Sequence, residues 1–373
     1  LKDNVRAPGM VVGDMEAQVA ACQIGAERFI DLVDRFGVQA VDDASEALMD
    51  YSERLMRNAI RDVPDGVYSA KTFIDGFLED PDRRDLPLVV TITISGDEME
   101  VDLEGTAPQV SDRPINMPLI GTVDISIWLT VRSVLLDSDI FGYIPQNSGL
   151  TRPITLKVPR GCLANPIFPA PVIARFTPGN QLADTVMKAL AGAVPEQVSA
   201  GIGNLKVIAF SGLKEETHWV HMEIFEGSYG GRYNRNGMDA VDTLYANTRN
   251  NPIEDIESHL PMRVTRYELR EDTSGAGRTR GGLGACRAFQ FLEPGGFSVE
   301  GEGHKFAPWG FKGGNDGKTA ELHLIHANGK SESLTSKVPY HTTETGDTFL
   351  AIGPSAGGYG EAFERSPEDV YED

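Results

Sequence analysis

Cysteine is scarce in this chain: Cys22, Cys162 and Cys286 are the only three among 373 residues, and no two of them form a CxxC pair. So odd and sparse a set argues against a disulfide framework and against a structural zinc site built from thiolates; it suits reduced thiols in a cytoplasmic protein. Long apolar runs are also missing. None approaches the roughly 20 residues that span a bilayer, and no signal peptide precedes the first helix. Basic residues are in deficit, with 34 Lys and Arg against 55 Asp and Glu and a formal net charge of -21. A surface of that sign repels phosphate backbones and anionic lipid, so neither nucleic acid nor membrane is expected as a partner. The short metal-site signatures HExxH and HxH are absent too, which leaves no zinc-protease helix in view. The chain opens on Leu1 rather than methionine and closes on Asp373, as a fragment or a processed chain would.

What is present is enough apolar sequence, 40% of residues, to build a real core, and enough length for two or three domains. Apolar residues first recur at helical spacing: Met15, Val19, Cys22, Phe29, Leu32, Val33 and Phe36 form one such run, with Gly13-Asp14 as its expected N-cap and Gly37 as its stop. A second helix is expected over 44–61, ended by the turn tetrad Val63-Pro64-Asp65-Gly66. The period then changes to two over 67–77, 88–95 and 99–104, with Ser95-Gly96-Asp97 as a hairpin turn. Helices over 121–136 and 181–193 flank a proline-rich stretch at 145–171. From there strands dominate: 206–210, 218–225, 263–269, 286–291, 297–302 and 320–326. The expectation is an α+β protein in three parts: a helical segment 1–66, a mixed middle region 67–205 and a strand-rich region 206–373.

Two glycine runs invite a phosphate-binding reading. Gly313-Gly314-Asn315-Asp316-Gly317-Lys318-Thr319 resembles a P-loop, but its glycines are one residue too close and a strand, not a helix, follows. A tight turn is the expectation there. Gly275-Ala276-Gly277-Arg278-Thr279-Arg280-Gly281-Gly282 could form an anion nest, or a loop whose glycines let backbones approach closely. His221 with Glu223, and Glu300 with Glu302 and His304, fall two residues apart on expected strands and so share a face. Such sets can bind metal or do acid/base work, yet plain alternation on a half-exposed strand yields the same spacing.

Several stretches, in order from end to end, resemble the hydantoinase B/oxoprolinase family. They are Asn4-Val5-Arg6 with Gly13-Asp14-Met15-Glu16-Ala17-Gln18; Asn116-Met117-Pro118 with Asn147, Arg152-Pro153 and Asn165-Pro166; and the segment from Asn247-Thr248-Arg249 to Glu254-Asp255-Ile256-Glu257. Asp272 with Gly275 to Gly284, Pro308-Trp309-Gly310, and Gly357-Gly358-Tyr359-Gly360 complete the set. The resemblance implies a subunit that works beside a hydantoinase A-like ATP-binding partner, with ATP and Mg held mainly by that partner. It also implies a small-molecule substrate whose amide, lactam or ketone carbonyl is activated by phosphorylation of its oxygen. Either a cyclic amide is then hydrolysed or a ketone is carboxylated; a third reading makes this piece a non-catalytic scaffold. Family subunits extend before the point matching Leu1, so the N-terminal half of the same subunit is an implied partner, and any divalent metal is implied there rather than on these residues. The sequence departs from the family near His304, where arginine is usual, and at Pro354-Ser355-Ala356, where glycine is. The matched motifs nominate Asp14, Gln18, Asn247, Arg249, Glu254 and Glu257 as catalytic candidates and Arg113 and Asn116 as substrate-binding candidates, with no metal ligand. The structural alternatives are Asp14 as helix N-cap, Asn247 as turn former and Arg249–Glu254 as a buried ion pair.

Overall fold

The computed structural model describes residues 2–5, 8–77, 85–244, 246 and 248–372. The first helix, α1 (Pro8–Phe36), starts earlier than the sequence pattern suggests. Proline is suited to a first helical position, since its missing N–H would have no intrahelical partner there. The expected N-cap is therefore corrected: Asp14 lies inside the helix and is exposed. Gly37, with φ 83, takes the left-handed turn that separates α1 from α2 (Val38–Arg61). Of the two, only α2 buries side chains: Ser52, Met56, Ala59 and Ile60, at the spacing of one helical face.

That face packs on a four-stranded sheet in the order β1 (Gly66–Asp75), β2 (Asp85–Ser95), β3 (Glu98–Asp102), β4 (Ile154–Lys157). β1, β2 and β3 pair antiparallel; β4 joins β3 in parallel. Gly96, at φ 63, makes the expected tight turn between β2 and β3. Leu88, Val90, Ile92 and Ile94 point from β2 into the core with no more than 2% exposure, so the period-two pattern marks one buried face. On that face lie α3 (Asp124–Leu135) and α5 (Phe176–Leu190). α5 begins five residues before the apolar periodicity becomes clear, through Thr177, Pro178, Gly179 and Asn180, all of them buried. The short α4 (Ser138–Phe141) lies in the chain between α3 and β4.

The second core is a sandwich. One sheet runs β12 (Lys337–Thr343), β9 (Gly295–Gly301), β5 (Lys206–Lys214), β6 (Thr217–Phe225). The other runs β11 (Ser331–Leu334), β10 (Glu321–Ile325), β13 (Thr348–Ile352), β8 (Ala285–Phe291), β7 (Met262–Leu269). Phe210, Phe225, Phe289, Phe291, Phe297 and Phe349 meet between them with ring centroids 4.6 to 6.3 Å apart. Arg287, 1% exposed, crosses this layer to Glu223 at 2.8 Å and lies over Phe225 and Tyr267. The His221–Glu223 pair of the sequence, 2.7 Å apart, thus belongs to an ion-paired sheet face. Two further helices are small: α6 (Ile253–His259) leads into β7, and α7 (Pro367–Glu372) closes the chain.

Glycine loops tie the end of the sandwich together, backbone against backbone. A Cβ on Gly227 would stand 1.6 Å from the Gly203 carbonyl oxygen, and one on Gly317 would stand 1.8 Å from that of Ser355. Close packing, not conformational freedom, requires glycine at these two positions.

Candidate functional site

The two cores meet along β1, the edge strand of the first sheet. The chain leaving β9 runs beside it through residues 302–309 and staples it. Glu302 Oε2 accepts the Asp75 N–H at 2.7 Å, while the Asp75 carboxylate accepts the N–H groups of His304 at 2.8 Å and Lys305 at 3.2 Å. Phe73 and Phe306 stack beside this exchange, centroids 4.9 Å apart. An edge strand that would otherwise offer free backbone groups is covered.

A cluster of buried charge surrounds the staple. Glu302 Oε1 accepts from Lys337 Nζ at 2.8 Å. Burial pushes the Glu302 carboxyl up to about 8, against the pull of Lys337. Lys206, the first residue of β5, is 1% exposed; burial brings its amine down to about 7, with Asp75 and Glu302 opposing. Burial first, then Lys206 and Lys337, hold the His304 imidazole neutral, and its Nε2 has no hydrogen-bond partner. Asp75, Phe77, His304 and Lys337 line a cavity of about 380 Å³ beside this cluster.

On the other side of residues 303–306, a second cavity of about 190 Å³ lies between β1, α5 and the chain up to Trp309. Its floor is Asp184, 2% exposed. Oδ2 accepts from Trp309 Nε1 at 2.9 Å and Gln181 Nε2 at 3.3 Å, and Oδ1 accepts from the Ile202 N–H at 3.2 Å. Burial raises this carboxyl to about 6, and these donors together with Lys188 oppose it. Lys188 lies 5.4 Å from the Trp309 ring centroid and Lys71 5.0 Å from that of Phe73. The Asn180 amide of α5 reaches Asn204 at 3.0 Å and Thr243 at 2.6 Å, which fixes the start of the helix beneath the pocket.

The residues nominated from sequence are not brought together. Asp14 and Gln18 lie on the exposed face of α1, and Asn247 falls outside the described residues. Arg249 and Glu254 are both exposed and form no ion pair with each other among the described residues, so the expected buried pair is corrected. Glu257 accepts the Val264 N–H at 2.9 Å and thereby fastens α6 to β7. Asn116 is fully buried, its amide engaged by Val110 N at 2.8 Å, Val110 O at 2.7 Å and Pro171 O at 2.8 Å. Arg113 lies over Phe77, 5.1 Å from the ring centroid, beside the 380 Å³ cavity. Of the flagged clusters, Glu302 and His304 do reach the seam. Asp75, Asp184, Lys188 and Trp309 gave no catalytic signal in the sequence. Lys206 alone has a readable one, a lysine in the same strand register as the apolar Ile208 and Phe210.

The phosphates of ATP do not fit the glycine loops of this chain. Gly314 N donates to Phe311 O, Asn315 N to Ala276 O and Gly317 N to Pro308 O, at 2.7 to 3.0 Å, so the amides that would cradle phosphate are engaged. The 275–282 loop is tied in the same way: Gly275 N donates to Ala356 O and Gly282 N to Tyr229 O. Among the described residues no group of three His, Cys, Asp or Glu side chains is placed to hold a metal ion, and no helix is long and apolar enough to cross a membrane. What the seam offers is binding chemistry and proton-holding groups near neutrality, in two adjoining cavities.

A helical start, a helix-covered sheet and a β-sandwich stapled along an edge strand define an α+β chain. The chain belongs to the hydantoinase B/oxoprolinase family, whose profile matches residues 1–362. It is 59% identical over 377 residues to a protein of Pseudomonas sp. strain NS671 described, provisionally, as the B-type subunit of a D-/L-hydantoinase; the match covers 100% of this chain and 64% of that protein. The crystal structure of the ATP-dependent caprolactamase from Pseudomonas jessenii superposes with a TM-score of 0.85 at 29% identity, covering 99% of this chain and 64% of that one. Acetone carboxylase in its nucleotide-free structure shares the fold with a TM-score of 0.81 at 15% identity, over 96% of this chain and 54% of that one. This chain therefore spans a little under two thirds of the length of the hydantoinase and caprolactamase relatives.

Proposed function

We propose that this chain is part of a subunit of an ATP-dependent hydrolase of cyclic amides, of the hydantoin, lactam or 5-oxoproline kind. The observation that carries the reading is the 59% identity, along the whole chain, to a protein described as a hydantoinase component. The structural likeness to an ATP-dependent caprolactamase supports it, because a caprolactam is itself a cyclic amide. In this reading ATP, with Mg, is held by a hydantoinase A-like partner, in keeping with the engaged amides of the glycine loops here. Phosphorylation of the carbonyl oxygen supplies the leaving group; a site for such chemistry must orient the ring, exclude stray water and stabilise the oxyanion that develops. The catalytic candidates Asp14, Gln18, Asn247, Arg249, Glu254 and Glu257 remain proposals that rest on the family motifs, as do Arg113 and Asn116 for substrate.

The test is turnover by the complete subunit reconstituted with its ATP-binding partner. ATP hydrolysis that requires a hydantoin, a lactam or 5-oxoproline is the expected result. Dependence on a ketone plus bicarbonate instead would replace the reading with a carboxylase. In the same assay Arg249→Ala and Glu254→Ala separate catalysis from scaffolding. An assembled complex that loses most of its turnover assigns these residues to the chemistry, whereas unchanged turnover leaves them to structure.

A further inference from the structure

Along α1, apolar or small residues recur at alternating steps of three and four: Val12, Met15, Val19, Cys22, Ala26, Phe29, Val33 and Phe36. That is the a and d repeat of a coiled coil, unbroken from Val12 to Phe36. The helix that carries it buries no side chain, and Met15, Val19, Phe29 and Phe36 are 47 to 57% exposed. Apart from Glu16, its charged residues all fall on the outer b, c and f positions. Among the described residues their contacts are local, Arg28 with Asp31 and Arg35 over Phe36. A helix that meets only water needs no such period. A repeat of 3.5 residues keeps one seam turned toward a neighbouring helix, where an ideal straight helix would drift.

The seam is also its own complement. Run antiparallel about a twofold axis at the level of Ile24, it sets Val12 against Phe36, Met15 against Val33, Val19 against Phe29 and Cys22 against Ala26. Each layer joins an a position to a d position, as an isologous contact requires. A larger side chain meets a smaller one in the outer layers, which evens the spacing of the two helices. Gly25, with open space where a Cβ would stand, lets them close up at the small central layer. Parallel pairing would stack Phe29 on Phe29 and Phe36 on Phe36, and leave Cys22 and Ala26 each facing itself.

We propose that α1 pairs with α1 of a second copy of this chain as an antiparallel coiled coil centred on Ile24. Aromatic side chains bury roughly 150–250 Å² each, and with the seam now about half exposed the pairing hides on the order of 700 Å² per chain. The total of about 1,400 Å² lies within the roughly 1,200–2,000 Å² of specific interfaces. Pairing must also order a helix that is marginal by itself, so a dissociation constant on the order of 10 µM is expected. Single chains with an unsupported α1 therefore persist at working concentrations. The inference uses neither ATP nor turnover, so its failure and that of the hydrolase reading are separate results.

Sedimentation velocity of the full chain is the test, from about 1 to 200 µM and at about 0.15 M salt, where the repulsion between chains of net charge -21 is screened. A reversible monomer–dimer equilibrium is expected. Val19→Glu and Phe29→Lys, both at exposed positions outside the two cores, should each weaken it by about tenfold or more. Combined in one chain they should regain most of that loss, because antiparallel pairing sets the new acid against the new base twice, whereas parallel pairing sets like charge on like. A chain that stays monomeric to 200 µM overturns the proposal. So does a dimer that the single replacements leave unchanged, or one that the double replacement does not restore. The same run on the complete subunit should show the same seam; a dimer of this chain that the complete subunit lacks means that the rest of the subunit covers α1, and overturns it too.

Discussion

A lysine amine with 1% of its side chain exposed must find an anion or yield its proton. At Lys206 burial outweighs the attraction of Asp75 and Glu302, Arg270 adds repulsion, and the amine falls to about 7 from its ordinary 10.5. The neutral His304 imidazole adds no charge. The unfolded chain keeps this proton up to about 10.5, so within that window unfolding takes up a proton and stability rises with pH. Below about 7 the full penalty applies, on the order of 5 kcal/mol for a shift of this size. Glu302 acts in the opposite sense, its raised carboxyl withdrawing stability as pH climbs from 4.5 to about 8. Above pH 8 the lysine contribution stands alone within this cluster. Lys206→Met, which keeps the chain length and drops the charge, should raise the melting temperature at pH 7 and flatten its dependence on pH between 8 and 10. Thermal unfolding across that range is the measurement, and two curves of equal slope would show that Lys206 holds its proton in the fold.

At the scale of the element, the loops that resemble nucleotide-binding motifs act as mortar. Gly317 shows it most directly, since its missing Cβ would lie 1.8 Å from Ser355 O and 2.7 Å from Ala356 O, both backbone atoms that cannot swing aside. Gly317→Ala is expected to destabilise the chain by roughly 3 kcal/mol or more, the upper range for overpacking a rigid site. Gly329→Ala, in a turn with nothing within 4 Å and φ +83, should cost only the local strain of about 1 to 2 kcal/mol. Urea denaturation of the pair checks the difference, and equal losses would contradict the packing account. The same contrast explains how much is legible in the sequence. Strand register can be read because β2 and β5 alternate, and the P-loop reading can be set aside because a strand follows Thr319. The strands β11, β12 and β13 leave no clear pattern: β11 has four residues, mostly exposed, β12 interrupts its alternation with the exposed pair Pro339 and Tyr340, and β13 has five residues. The start of α5 is hidden because its first turn is held by the Asn180, Asn204 and Thr243 network, which helical periodicity does not encode. The seam is hidden for a related reason. Asp75, Asp184 and Lys206 are 109 or 22 residues from their neighbours in this set (184 minus 75; 206 minus 184) and meet only through tertiary packing.

For the whole molecule, the distribution of burial separates a body from an arm. Two cores, joined at the β1 staple, hold most of the buried hydrophobic residues, and the first buried hydrophobic side chain described is Met56. α1 buries none, and Val19, Phe29 and Phe36 are each more than half exposed. At 1.5 Å per residue its 29 residues extend about 43 Å. A helix with no packed face is held by its own hydrogen bonds alone, and such helices are marginal in water. α1 should therefore melt or exchange its amides at temperatures where α5, with twelve buried residues, is still protected. Removing residues 1–36 should leave the cooperative unfolding of the body within about 2 °C of the full chain, because no contact of the cores is lost. Calorimetry of the two chains decides this, with hydrogen exchange on the full chain as the second reading. A drop of several degrees, or amides in α1 as slow as those in α5, would mean that the arm packs on the body in solution and that its apolar residues are not free.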